Sequence, residues 1–384
     1  MFDLMHFEAQ LTTEEILIQN TVAAFVQDQV MPVITSAFEQ AQFPQQWIAK
    51  LAELGLLGMT LPTAYGGSDA GAVSYGLVCQ ELERGDSGLR SFVSVQSCLC
   101  MYPIVAFGSE QQKQTWLPKL AQAQCIGCFG LTEADAGSDP ASMRTHAQPV
   151  SDGWILNGSK TWITNAPLAD IAIVWAKTSQ GIRGFIVELT QPGVTVNEIH
   201  HKLSMRASST GELTFNDCWV PAESLLPGSD IGLVAALKCL TQARFGIAWG
   251  AMGAARACFE IAREYALTRT QFGRPIAATQ LIQQDLVTMY TELSKAQWLN
   301  LQLARLKDQN QLDPVAVSMA KRNACQQALM IARRARHILG GNGISLEYHV
   351  IRHLANLETV YTYEGTDNIH TLIVGKYLTN FAAF

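Results

Sequence analysis

The spacing of apolar residues along the chain changes twice, and each change marks a change of secondary structure. From about residue 10 to residue 122, apolar positions recur every three or four residues, as on one face of a helix. The first such stripe consists of Ile18, Val22, Phe25, Val26 and Val30. Thr12 and Glu15 precede it with the spacing of a capping box, and Pro32 predicts an interruption just after it.

The middle of the chain has the pattern of a β-sheet. After residue 125 it breaks into short segments rich in Val, Ile, Phe and Trp, separated by Gly, Asp, Ser and Pro. Asn157 and Gly158 lie between two such segments in residues 153–163, which predicts a hairpin turn at this pair. The pattern ends near Pro227, so we expect a small all-β domain.

A helical period returns at about residue 229 and holds almost to the end of the chain. It predicts long helical stretches over 233–270, 279–310 and 313–339. The order is α, then β, then α, so the chain is predicted to be an α+β multidomain protein. The predicted domains are residues 1–122, 123–228 and 229–384. We expect a ligand site where they meet.

The length and composition are those of a globular protein. With 384 residues, the chain is longer than one compact core usually holds, and 48% of the residues are hydrophobic. The net charge of −6, with no basic stretch, argues against a nucleic acid as the main partner.

Neither a targeting segment nor a membrane span is predicted. No Lys or Arg occurs before Lys50, whereas signal and transit peptides need basic residues. The richest apolar stretch, 245–261, is cut by Arg256. The nine cysteines form no disulfide-like framework, so a reducing cytoplasm is expected. Cys125 and Cys128 have CxxC spacing without a second pair, so we interpret them as ordinary buried cysteines and expect no metal site.

Three local patterns could carry chemistry. Residues 129–142 combine flexible glycines with hydroxyl groups, which suits a phosphate or the polar edge of a ring, but also a solvated loop. Residues 162–166 place an apolar wall beside Thr and Asn, which suits a planar heterocycle, but also a strand end. Glu364 stands between Tyr363 and Gly365 at the joint of two predicted helices, where a plain polar residue is the ordinary interpretation.

Five segments together resemble the acyl-CoA dehydrogenase family of flavoenzymes. They are LTEADAGSDP (131–140), WITN (162–165), RTQFGRP (269–275), LGGNGI (339–344) and YEGT (363–366), in the family's order and spacing. The resemblance runs from about residue 10 to the last residue. It implies an N-terminal helical domain, a middle β-barrel-like domain and a C-terminal four-helix bundle. It further implies FAD, an acyl-CoA substrate, an electron-transferring flavoprotein as partner, and a homo-oligomer, usually a tetramer.

The resemblance also assigns roles to residues, with Glu364 as the catalytic base. It implies that the FAD is lined by Phe129, Leu131, Thr132, Gly137, Ser138, Trp162, Ile163, Thr164, Thr366 and Asn368. The residues that it implies for the FAD of a neighbouring subunit are Arg269, Phe272, Gln280, His337, Gly340 and Gly341. Those implied for the acyl-CoA are Ser138, Arg244, Tyr363, Gly365 and Phe384.

Within the family, residues 81–97 resemble the branch that oxidises glutaryl-CoA. In that branch an arginine, here Arg90, meets the distal carboxylate of the substrate, and Ser91, Ser94 and Glu83 lie near it in sequence. A second negative charge in a dry pocket needs a partner such as a guanidinium group. The resemblance therefore implies oxidation of glutaryl-CoA followed by decarboxylation to crotonyl-CoA.

Other functions remain open at this point. The chain could be a dehydrogenase for a neutral short-chain acyl-CoA, or a glutaryl-CoA dehydrogenase that does not decarboxylate. An acyl-CoA oxidase, or an inactive family member that serves as a binding protein, are further alternatives. Retention of Glu364 argues against the inactive protein.

Overall fold

The computed structural model describes residues 3–383, so Phe384 lies outside the described residues. The first helix, α1 (Thr13–Phe25), begins with the expected capping box, in which Glu15 N donates to Thr12 Oγ1 (3.2 Å) and Thr12 N donates to Glu15 Oε2 (2.8 Å). A π-turn over Val26–Val30 follows, and α2 (Met31–Gln40) continues from it. Pro32 does not stop the helix, because it lies in the first turn of α2, where no backbone N–H is needed.

The remaining helices of this region pack around one apolar core that extends into the C-terminal region. They are α3 (Gln46–Glu53), α4 (Ala72–Gly85), α5 (Ser87–Ser94), α6 (Tyr102–Phe107) and α7 (Glu110–Ala121). Among the described residues one helical stretch, Ser87–Phe107, has the length and composition of a membrane span, and 83% of its apolar window is buried in the protein. No stretch with the length and composition of a span was predicted from the sequence, so this prediction missed Ser87–Phe107, whose burial is that of a core helix.

The middle region forms a curled seven-stranded sheet in the order β1-β4-β2-β3-β7-β6, with β5 paired to β4. Its strands are β1 (Gly127–Gly130), β2 (His146–Val150), β3 (Gly153–Thr164), β4 (Ile171–Thr178), β5 (Gly181–Glu188), β6 (Val194–Glu198) and β7 (Thr210–Pro221). The β1–β4 pair is parallel, whereas β3 is antiparallel to both β2 and β7. Alternate inward residues of this sheet build a second, smaller apolar core.

The hairpin predicted at Asn157 and Gly158 was wrong. Both residues lie inside β3, where the register opposite β7 shifts between Leu156 and Gly158. Gly158 adopts φ +137°, and the Asn157 amide exchanges two hydrogen bonds with Asp217 on β7, so the Asn-Gly pair forms a bulge. The chain reverses instead just before Gly153, which pairs with the last residue of β2.

The last region is helical, as predicted, and the first long stretch is one continuous helix. The elements are α8 (Leu233–Thr268), β8 (Thr270–Gln271), β9 (Arg274–Pro275), α9 (Gln280–Asp308), α10 (Pro314–Ile338), α11 (Val350–Thr362) and α12 (Asp367–Thr379). Helix α8 packs closely on α4 because Gly253 has no side chain: a Cβ there would lie 1.8 Å from the carbonyl oxygen of Gln80.

A buried polar network joins the three regions at one point. Asp86, between α4 and α5, accepts hydrogen bonds from Arg352 (2.5 Å) and Asn356 (2.9 Å) on α11. Asn356 in turn accepts from the backbone N–H of Met205, which follows β6 (2.8 Å). Asp86, Arg352 and Asn356 are fully buried or nearly so, which fixes α11 against both other regions.

This network generates a stability prediction. Asp86→Ala leaves Arg352 as an uncompensated buried charge, so we expect a loss of about 3–5 kcal/mol in unfolding free energy. The matched control is Glu53→Ala, which removes the exposed partner of Lys50 and is expected to cost no more than about 0.5 kcal/mol. Chemical denaturation of the two holoproteins makes the comparison. Equal stability of the two variants would contradict the assigned role of the network.

Candidate active site

A cavity of about 880 Å³ opens where the three regions meet. Many of the residues singled out from the sequence line it together: Arg90, Ser91, Ser94, Phe129, Leu131, Thr132, Gly137, Ser138, Trp162, Ile163, Thr164, Arg244, Tyr363, Glu364, Gly365 and Thr366. Helices α5, α8 and the α11–α12 corner therefore share one cavity with loops of the β-sheet, although these segments are far apart in sequence.

Glu364 is held in an unusual backbone conformation at the corner between α11 and α12. Its φ is +57°, in the left-handed region that ordinary side chains rarely adopt, and Gly365 follows with φ +100°. Thr366 caps α12 by accepting a hydrogen bond from Ile369 N (3.3 Å). The chain thus turns sharply between two helices and directs the Glu364 side chain into the cavity wall.

Glu364 is half-buried as a residue, but its Oε2 atom is fully buried and has no hydrogen-bond partner. Burial raises the pKa of Glu364 to about 6, while the positive charges of Arg244, Lys321 and Arg90 oppose that rise. Arg244 also donates to the backbone carbonyl of Glu364 (2.6 Å). An unpartnered carboxylate with a pKa near neutrality is suited to accepting a proton from a bound molecule.

Arg90 forms a second polar cluster in the cavity wall. Its Nε donates to Glu83 Oε2 (2.6 Å), its Nη2 donates to the Tyr363 hydroxyl, and that hydroxyl contacts Ser91 Oγ (3.2 Å). Glu83 and Arg90 meet although the helix breaks between α4 and α5. Glu83 does not line the cavity, and burial raises the pKa of its carboxyl despite Arg90. The protein itself therefore supplies a charged partner for Arg90.

The cavity wall next to the β-sheet is suited to a flat ring with polar edges. Trp162 lies at φ +60° and leaves 61% of its side chain exposed, which presents an aromatic surface. The hydroxyl-bearing residues Thr132, Ser138 and Thr164 line the same cavity, and a Cβ built on Gly137 would meet nothing within 4 Å. These residues fit an isoalloxazine ring and its attached chain, with aromatic area, hydroxyl groups and open space together.

Several residues assigned from the resemblance lie away from this cavity. Phe272 is 98% exposed in the turn between β8 and β9, and His337 lines a separate pocket with Arg333 and Arg334. The others that do not line the cavity are Arg269, Gln280, Gly340, Gly341 and Asn368. Asn368 was assigned to the FAD of the same chain and does not line the cavity; the other residues named here are those assigned to the FAD of a neighbouring subunit.

The structure adds a lining segment that the sequence reasoning did not single out. Residues 202–205 line the cavity, and Lys202 Nζ fixes this segment by donating to the carbonyls of Met205 (3.1 Å) and Ser208 (2.7 Å) and to Thr210 Oγ1 (2.8 Å). A lysine in an otherwise irregular, polar stretch gives no local signal of this role, because its partners are backbone carbonyls brought near by the fold.

Comparison with known proteins finds the same three regions in the same order along the chain. The N-terminal, middle and C-terminal domains of acyl-CoA dehydrogenase match residues 12–124, 128–218 and 230–379. The human mitochondrial short-chain specific acyl-CoA dehydrogenase is 35% identical over 95% of this chain and 90% of its own. A glutaryl-CoA dehydrogenase structure from Mycobacterium smegmatis is 52% identical with a TM-score of 0.98, covering 100% of this chain and 98% of that one.

A second structure bears on the cofactor. A glutaryl-CoA dehydrogenase from Mycobacterium smegmatis in complex with FADH2 is 49% identical, with a TM-score of 0.98 over 99% of this chain and 98% of that one. The three-part fold and the acid-bearing cavity at its centre are those of a flavoprotein oxidoreductase. The chain belongs to the acyl-CoA dehydrogenase family. Its cofactor is FAD, and its activity is acyl-CoA dehydrogenation.

The pKa of Glu364 generates a prediction about pH. We expect Glu364 to accept the proton, so the second-order rate of flavin reduction by acyl-CoA should rise with pH through about 6 and then level off. The sign follows from the titration: the carboxyl group is protonated below its pKa and cannot accept a proton there. Stopped-flow bleaching of the flavin under anaerobic conditions measures the profile.

The matched variant for this profile is Glu364→Gln. It keeps the shape of the side chain and should lower the reduction rate at least about a hundredfold above pH 6, where the Glu364 carboxylate is ionised, with unchanged FAD content. A variant that reduces its flavin at nearly the normal rate would remove Glu364 from this role.

Proposed function

We propose that this chain oxidises glutaryl-CoA between its α and β carbons and decarboxylates the product to crotonyl-CoA. The observation that carries the proposal is the Arg90 cluster, because a guanidinium, a tyrosine hydroxyl and two serines line the same cavity as Glu364. Such a cluster is suited to a substrate with a second carboxylate. The 52% identity to a mycobacterial glutaryl-CoA dehydrogenase supports this choice of substrate.

The first step uses the unpartnered carboxylate. Glu364 takes the proton from the α carbon of the thioester, and the electrons of that C–H bond form the α,β double bond as a hydride leaves the β carbon. Bound FAD supplies the acceptor for that hydride. Arg244 holds the backbone of Glu364 during the transfer by donating to its backbone carbonyl, and Arg90 holds the preceding residue, Tyr363, by donating to its hydroxyl.

The second step releases carbon dioxide from the unsaturated product. The bond to the distal carboxylate breaks, and its electrons spread through the double bond onto the thioester oxygen. The far carbon then needs a proton, and Glu364 carries the one that it took in the first step. A cavity closed to water by the substrate would keep that proton from exchanging. We propose that Glu83 and Tyr363 adjust this transfer through Arg90.

A dehydrogenase for a neutral short-chain acyl-CoA is the second candidate. The observation that favours it is the 2.6 Å ion pair between Arg90 and Glu83, which balances the guanidinium charge without a substrate carboxylate. The 35% identity to the human short-chain enzyme is also consistent with it. The two candidates differ in what Arg90 does when the acyl-CoA binds.

The proposal extends to the assembly and its partner. We propose a homotetramer that passes electrons to an electron-transferring flavoprotein in the reducing cytoplasm. The exposed Phe272, together with Arg269, Gln280 and the 337–341 segment, supports contact with a neighbouring subunit, and the nine free buried cysteines fit a reducing compartment. A mass other than four chains in light scattering would argue against the tetramer.

The role of Arg90 gives a prediction of substrate choice. Arg90→Gln should reduce activity on glutaryl-CoA at least about a hundredfold more than on butyryl-CoA, because a buried charge that loses its partner costs roughly 3–5 kcal/mol. Since this change also leaves Glu83 without its charged partner, the double variant Glu83→Gln/Arg90→Gln is measured as well. It removes both charges, so a difference between the two substrates cannot come from an unpaired Glu83. Arg256→Gln is the matched control, because Arg256 pairs with Glu81 and Glu260 outside the cavity. Equal losses on both substrates would favour the neutral acyl-CoA.

The decarboxylation step gives a separate prediction. With glutaryl-CoA and an artificial electron acceptor, mass spectrometry should find crotonyl-CoA and an equal amount of carbon dioxide. Glutaconyl-CoA as the only product would show a dehydrogenase that stops after the first step.

A further inference from the structure

The side chain of Lys321, on α10, is 1% exposed, yet its ammonium group lies against the corner that carries Glu364. It donates to the backbone carbonyls of Tyr361 (3.3 Å), Tyr363 (3.0 Å) and Gly365 (2.9 Å). Three donors are available only in the protonated amine, so these contacts require the charged form, although burial lowers the pKa of Lys321.

We propose that Lys321 is a positioning residue for the proton-accepting carboxylate of Glu364: its ammonium group fixes the backbone on both sides of that residue and supplies one of the charges that face it. The inference rests on the proposed role of Glu364 in the acyl-CoA reaction and concerns how that role is maintained.

The contacts of Lys321 are more than an ordinary C-terminal cap of α11. A lysine near a helix C-terminus often satisfies the last carbonyls. Here only Tyr361 lies within α11, whereas Tyr363 and Gly365 follow its end and flank Glu364 directly. The carbonyl of Glu364 itself is taken by Arg244 from α8 (2.6 Å). Lys321 and Arg244, on different helices, therefore hold the three successive carbonyls of residues 363–365. These contacts keep Glu364 in the left-handed backbone conformation, which would otherwise relax.

Neighbouring residues of α10 contact the same corner at positions further from Glu364. Cys325 contacts the carbonyl of Val360 (3.5 Å), Gln326 donates to Asp367 (2.8 Å), and Arg322 donates to Thr371 (2.8 Å). These contacts tie α11 and α12 to α10 but do not touch the residues on either side of Glu364. Arg322 thus offers a matched control, since it adjoins Lys321 and carries the same charge.

The charges around the carboxylate determine what loss of Lys321 does to its titration. Arg90 on α5, Arg244 on α8 and Lys321 on α10 are the cations that lower the pKa of Glu364. Cys98 and Cys239 also face it, and burial raises the pKa of both thiols, so they stay neutral.

On α12, His370 packs against Gly365, and burial lowers its pKa to about 3, so this imidazole is neutral as well. Removing the Lys321 ammonium therefore removes one of three positive charges without a replacement. The carboxylate of Glu364 becomes harder to ionise, and its titration moves to higher pH.

The test compares Lys321→Met with Arg322→Met in the FAD-loaded enzyme. We expect Lys321→Met to slow flavin reduction by roughly a hundredfold, the loss typical of a misplaced reacting group, with unchanged FAD content. The midpoint of its pH profile should move upward, and amide hydrogen exchange in residues 361–366 should become faster. Arg322→Met should leave the rate and the midpoint unchanged.

A conservative variant separates charge from geometry. Lys321→Arg keeps the positive charge, but its planar fork does not match three carbonyls arranged around a point. It should retain the normal pH midpoint and a reduced rate, and it carries the test if Lys321→Met does not fold. Normal rates in both Lys321 variants would overturn the proposal, as would a loss of activity explained by lost FAD with an unmoved midpoint.

Glu364→Gln distinguishes failure of this inference from failure of the proposed function. If Glu364→Gln is inactive and Lys321→Met is normal, only the role of Lys321 is wrong. If Glu364→Gln reduces its flavin normally, the base is another group and the proposed mechanism fails first.

Discussion

A carboxylate that must remain without a hydrogen-bond partner in a buried cavity is the constraint on which the rest of the site depends. Burial of such a group is unfavourable, and a folded chain usually relieves it by pairing the charge or by protonation. Here the Oε2 atom of Glu364 has no partner, and its pKa stands at about 6. The protein keeps the group close to the point at which it both binds and releases a proton near neutral pH.

The surrounding cations make this state possible without forming a direct ion pair. Arg244 and Lys321 bind backbone carbonyls of the Glu364 segment and leave the side-chain oxygen free. Their charges still act through the low dielectric of the interior, where electrostatic effects reach further than in water. The same two residues therefore bind the backbone around Glu364 and limit the rise in its pKa, which links the geometry of the proposed base to its acidity.

The three regions contribute to the site through buried polar contacts that cross their boundaries. The Asp86–Arg352 pair fixes α11, whose C-terminus leads into Glu364, against the start of α5, which carries Arg90. The lack of a side chain at Gly250 on α8 leaves room for the Glu83–Arg90 pair, since a Cβ there would lie 2.1 Å from Glu83 Oε2. The proposed base and the Arg90 cluster that is proposed to select the substrate are thus parts of one packed interior.

The sequence by itself determined the α–β–α order, the long C-terminal helices and the capping box at Thr12, because helical periodicity and caps are local properties. Three of the five family segments, LTEADAGSDP, WITN and YEGT, contribute residues to the cavity, whereas RTQFGRP and LGGNGI do not. Local pattern failed at Asn157 and Gly158, because pairing with β7 decided that the Asn-Gly pair forms a bulge.

Only the tertiary structure decided the electrostatics of the site. Glu83 and Arg90 are seven residues apart across a helix break, so their pairing could not be read from helical spacing. The partners of Lys321 are carbonyls at least 40 residues away, and a lysine in a helical pattern gives no sign of them. Burial and charge at Glu364 come from α5, α8 and α10 together, and a pKa is set by the sum of such long-range contacts in the folded chain.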